Sequence, residues 1–166
     1  ISLVLVLLIL LFPFGSAKLH AAIVDVDAST LIPSASMFAS PKNGAVLSGS
    51  TFDVSFYLDT RGSTANGIEL NIKFPQDKLA IVKPAGERSL ITVWVQPPSY
   101  SNTSGNASFS GVVPGGIKTS SGLITTITFK AIDGAIGSAQ IRILESSKVL
   151  ANDGVGTEMK ASFAGA

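Results

Sequence analysis

Hydrophobic and polar residues alternate in short runs along most of the chain, and each run stops at glycine, proline or a cluster of small polar residues. Thr51–Asp59 puts Phe52, Val54, Phe56 and Leu58 on one side, the period-two spacing of a half-buried strand. Residues 60–67 are rich in turn formers. Residues 68–74 alternate again, with Ile68, Leu70, Ile72 and Phe74 facing one way and Glu69, Asn71 and Lys73 the other. Pro75 cannot donate to a ladder and ends that run. Residues 79–82 and 90–95 read as short strands, the second stopped by Pro97-Pro98. Residues 106–113 carry Phe109 and end at Pro114-Gly115-Gly116. Residues 123–132 form the longest predicted strand, with Ile127 and Phe129 inward and Thr126, Thr128 and Lys130 outward. Residues 138–144, 149–150 and 158–163 complete the series. No capped stretch of helical spacing occurs after residue 17. About nine strands with Gly/Pro turns predict an all-β, jelly-roll β-sandwich.

The first residues break this pattern. Residues 3–12 are apolar and uncharged, too short for a bilayer span of about 20 residues and suited to the middle of a secretory signal. Gly15-Ser16-Ala17 supplies small residues before a cut after Ala17, and a second cut site follows Ala21. The alternative is an uncleaved membrane anchor. The expected organisation is a signal peptide over 1–17 with its basic start upstream of Ile1, a linker over 18–28, and one domain over 29–166. That places the domain outside the cell, secreted or on its surface. The abrupt end at Ala166 fits a fragment with further domains or an anchor downstream.

Composition narrows the chemistry. Among 166 residues, 46% are hydrophobic and 14% charged, with 12 Lys+Arg against 11 Asp+Glu. That balance excludes a protein that grips nucleic acid through clustered basic excess, and the apolar content excludes a disordered chain. There is no Cys and a single His, His20, which excludes disulfides, thiolate metal sites and a multi-histidine zinc site. With His20 beside the cleavage region, a Ser-His-Asp triad has no base in the mature domain. Glu69, Glu87, Glu145 and Glu158 lie in separate segments, not as a carboxylate pair. Residues 111–116 lack the Lys-Ser/Thr of a phosphate loop. Asp25-Val26-Asp27 lacks the ligand spacing of a calcium loop, and Asn152-Asp153-Gly154 reads equally well as a turn. The expectation is a non-enzyme without cofactor or metal.

The ordered set of motifs resembles a known family. It comprises Gly49-Ser50-Thr51 before a strand, Asn66-Gly67-Ile68-x-Leu70-x-Ile72-x-Phe74 running into Pro75-Gln76-Asp77-Lys78-Leu79, Gly122-Leu123-Ile124-x-x-Ile127-x-Phe129-Lys130-Ala131, the Gly137 turn, and Val149-Leu150-Ala151-Asn152-Asp153-Gly154. This is similar to a cohesin domain, the module that receives dockerins in cellulosomes and on cell surfaces, over residues 30–163. The resemblance implies a nine-stranded jelly roll and non-catalytic binding in polysaccharide degradation or surface assembly. It implies a dockerin-like protein partner that carries the calcium itself. The Gly/Ser-rich stretch between Tyr100 and Ser121 departs from the cellulosomal pattern.

The resemblance marks residues 67–74 as a partner-contacting strand, with Glu69, Asn71 and Lys73 outward. A carboxylate, an amide and an ammonium in a row can satisfy a partner's polar groups, and equally make an ordinary solvated strand face. Thr126, Thr128 and Lys130 are further candidates for that face. Trp94 and Tyr100 flank Pro97-Pro98 and form the alternative, a platform for a polysaccharide; against it, Trp94 fills a core and Tyr100 covers its edge. A structural spacer domain is a third reading. Asn102-Thr103-Ser104 and Asn106-Ala107-Ser108 match the N-glycosylation pattern, a short signal that fits an exposed loop.

Overall fold

The fold follows from where the alternating runs find partners. In the computed structural model, residues 33–85 and 88–166 are described. The predicted signal and linker, His20, Asp25, Asp27 and Glu87 lie outside the described residues. Ten strands occur among the described residues: β1 (Ser34–Ser40), β2 (Thr51–Asp59), β3 (Ala65–Lys73), β4 (Leu79–Ala85), β5 (Val93–Ser101), β6 (Asn106–Ile117), β7 (Gly122–Ala131), β8 (Arg142–Ile143), β9 (Lys148–Ala151) and β10 (Lys160–Ala164). They form two sheets, β10-β1-β2-β7-β4 and β5-β6-β3-β8, with β9 also pairing β3. All pairings are antiparallel except β1 with β10.

The period-two residues meet between the sheets. Val54, Phe56 and Leu58 of β2 and Ile127 and Phe129 of β7 pack toward Ile68, Leu70 and Ile72 of β3 and Phe109 of β6, all buried. Phe129 joins the layers: its ring meets Phe74 edge-on at 5.4 Å and stacks on Phe52 at 5.9 Å. Burying aliphatic and aromatic side chains stabilises by roughly 1.5–3 kcal/mol each, so this layer holds the cysteine-free domain together.

Three elements differ from their sequence prediction for a clear physical reason. Strand β1 has small inward residues, Ala35 and Ala39 around Met37, so it carries little hydrophobic signal. Strand β5 continues through Pro97-Pro98 because it is the edge of its sheet, where proline is tolerated. The two prolines fall inside a register shift between Gln96 and Ser99. Strand β6 continues through Pro114 because pairing with β5 has already ended at Val112. Gly115 and Gly116, at φ +84° and +78°, form the bulge that lets Ile117 rejoin β3. Strand β6, with 12 residues, is therefore longer than β7, with 10.

The edge of β4 is closed by a side chain. Strand β4 bulges between Ile81 and Lys83. The Asn102 amide, on the β5–β6 turn, accepts from the Ile81 N–H at 2.8 Å and donates to the Ile81 carbonyl at 3.0 Å. This two-point contact mimics a neighbouring strand and blunts an open edge. The first glycosylation motif thus has its amide committed within the fold.

Candidate docking face

The outer surface of β5-β6-β3-β8 is a broad polar sheet built around Asn71. Strands β8 and β9 both pair with β3 but are separated by residues 144–147, which loop out opposite Asn71. The ladder is completed there by other groups. The Asn71 N–H donates to Ser147 Oγ at 3.0 Å, and the Asn71 carbonyl accepts from the Leu144 N–H at 2.8 Å. Ser147 is buried for this reason.

The Asn71 side chain extends the network across the face. Its Nδ2 donates to Glu69 Oε1 at 3.1 Å and to the Ser146 carbonyl at 3.2 Å. Its Oδ1 accepts from Ser108 Oγ of β6 at 2.8 Å. Lys73 Nζ donates to the Ser104 carbonyl on the β5–β6 turn. The three side chains predicted to meet a partner are thus tied to the protein itself, and the face is held in one arrangement. Both Asn71 amide hydrogens are used inside the molecule. Binding capacity remains on the second Glu69 oxygen, the Lys73 ammonium and the outward serines.

A depression of about 420 Å³ opens on this face, lined by Asn71, Ser99, Tyr100, Asn106, Ser108 and Ser146 among others. On the β5 edge Val93, paired with the outward Val112, is an exposed apolar residue bordering the polar centre, whereas Tyr100 is opposite the buried Ala107. The Lys148–Glu158 ion pair, at 3.4 Å, stands on the other side.

The second predicted group lies elsewhere. Thr126, Thr128 and Lys130 are on β7, in the opposite sheet, and point away from the core. They cannot share a face with Glu69, Asn71 and Lys73, because the whole core lies between the two outer surfaces. Each is engaged with a neighbour: Thr126 with Ser55 at 2.9 Å, Thr128 with Asp53 at 2.6 Å, and Lys130 with Asp133 at 3.2 Å. Sequence could orient each strand but not assign it to a sheet.

Of the alternative pair, Tyr100 is exposed while Trp94, the register partner of Gly111, packs against the core with its ring 6.5 Å from that of Phe109. A Cβ on Gly111 would collide with Ile91 Cγ2 and lie 2.7 Å from the Val93 carbonyl oxygen, so a bare backbone is required there. Among the described residues, no three His, Cys, Asp or Glu side chains are grouped to hold a metal. Asp153 serves its own turn: its Oδ1 accepts from the N–H groups of Val155, Gly156 and Thr157. The Thr157 hydroxyl and these backbone donors lower its pKa to about 2.

No protein-family model matches the sequence, and the comparison with curated proteins gives no match. Solved structures do match. CaCohA2 of Clostridium acetobutylicum, solved in solution, has a TM-score of 0.64 at 14% identity over 81% of this chain and 88% of that one. A type I cohesin–dockerin complex of Clostridium thermocellum gives 0.59 at 13% identity, over 80% and 96%. A cohesin module of a Clostridium perfringens family 33 glycoside hydrolase gives 0.60 at 10% identity, over 81% and 93%. These likenesses establish the fold: the described domain is a cohesin-type jelly roll.

Proposed function

We propose that this chain is a non-catalytic docking module that receives a dockerin-type protein on the outer face of β5-β6-β3-β8. The observation that carries the reading is the Asn71 network, which ties β3 to β6 and to the 144–147 segment and presents a rigid, polar sheet. Rigid surfaces bind well because little ordering entropy is lost on association. The fold supports the same reading, since structures that share it include cohesins solved with dockerins. In this reading the partner carries its own calcium, and the module works outside the cell, in polysaccharide breakdown or surface assembly. Glu69, Asn71 and Lys73 belong to the docking face, and Thr126, Thr128 and Lys130 do not.

The test is calorimetry or surface binding of residues 29–166 against calcium-loaded dockerin modules encoded in the same genome. Saturable binding by at least one is expected. Failure across the complete panel would overturn the reading.

A further inference from the structure

One corner of the docking face carries an electrostatic conflict. Lys73 of β3 and Arg142 of β8 are register partners, and both point outward, since their neighbours Ile72 and Ile143 are buried. Directly opposed residues on adjacent strands have Cβ atoms about 5 Å apart, and like charges there repel. Lys78, from the turn after β3, joins them around a depression of about 340 Å³, with Ser138 and Gln140 on its far wall. Asp77 is the one carboxylate lining it. Among the described residues, ion pairs occur only at Lys130–Asp133 and Lys148–Glu158, so none of these three cations has an acidic partner within 4.0 Å.

The cations are held, not neutralised. Lys78 Nζ donates to the Ser138 carbonyl at 2.7 Å, and Lys73 Nζ donates to the Ser104 carbonyl. Each ammonium has three donors, so each keeps two for an incoming group. Arg142 offers a planar fork suited to a carboxylate.

We propose that this corner is an acceptor for carboxylates, and that the docking partner brings an acidic segment to Lys73, Lys78 and Arg142. The inference rests on the proposed docking function for its partner and on the Lys73–Arg142 opposition for its chemistry. The partner's acids would relieve the repulsion that the free domain carries, and long-range attraction would speed encounter.

The experiment separates the two layers. Backbone amide NMR of residues 29–166 is titrated with hexaglutamate, with hexalysine as the control. Hexaglutamate should shift the amides of Lys73, Lys78, Ser138, Gln140 and Arg142. The shifts should shrink severalfold in about 0.5 M salt, where the Debye length falls to about 4 Å. Arg142→Gln and Lys78→Gln should each weaken the effect severalfold, while their melting temperatures stay level with or above the parent. Shifts that persist unchanged in both variants, or that spread evenly over all surface lysines, would overturn the inference. With a dockerin that binds, the association rate should fall with salt and fall further in Arg142→Glu. A rate indifferent to both would sink the acidic-segment proposal and leave docking standing.

Discussion

Thr60 and Thr119 hold each other by both backbone and side chain. The Thr60 N–H donates to the Thr119 carbonyl at 2.8 Å, the Thr60 hydroxyl donates to the same carbonyl at 3.1 Å, and the Thr119 N–H donates to the Thr60 hydroxyl oxygen at 3.1 Å. Thr60 is fully buried, so the β2–β3 loop is locked to the β6–β7 connection. Thr60→Val keeps the shape and strands the Thr119 N–H. It should cost about 1–3 kcal/mol, read as a lower urea midpoint with an unchanged slope.

Gly111 of β6 faces Ile91 and the Val93 carbonyl at close range. A methyl there must displace Ile91 or push β5 outward. Gly111→Ala should therefore destabilise by about 1–3 kcal/mol and shift the Trp94 fluorescence, because Trp94 is the register partner of Gly111 and its Cα lies 3.4 Å from the added Cβ. An unchanged emission maximum would contradict that packing.

The outer faces of the two sheets should behave differently. Ser110 of β6 and Thr128 of β7 both point away from the core, on opposite sides. Ser110→Arg should weaken dockerin binding about tenfold or more, about 1.4 kcal/mol, while Thr128→Arg leaves it unchanged. The reverse outcome would move docking to the other sheet.

Asp153 sets an acid limit on the β9–β10 turn. Its pKa of about 2 in the fold lies below the unfolded value of 3.8. Its contribution is therefore complete above about pH 4 and is lost as pH falls through about 2. Asp153→Asn mimics the protonated acid. Melting temperatures of parent and variant should differ at neutral pH and converge toward pH 2.

Local alternation was enough to tell which residues face inward along strands such as β2, β3 and β7. The alternation of Ile68, Leu70, Ile72 and Phe74 is a local property of the pleat, so it needs no knowledge of neighbours. It likewise made Glu69, Asn71 and Lys73 outward. Only the tertiary structure decided which outward rows share a surface, because sheet membership depends on pairing between distant segments. It separated Thr126, Thr128 and Lys130 from the β3 row and brought Lys73 opposite Arg142, 69 positions away in sequence. It let β5 run through Pro97-Pro98, since a proline's missing donor costs nothing on an unpaired edge. Alternation is written residue by residue, whereas adjacency is settled when the two sheets close over Phe74 and Phe129.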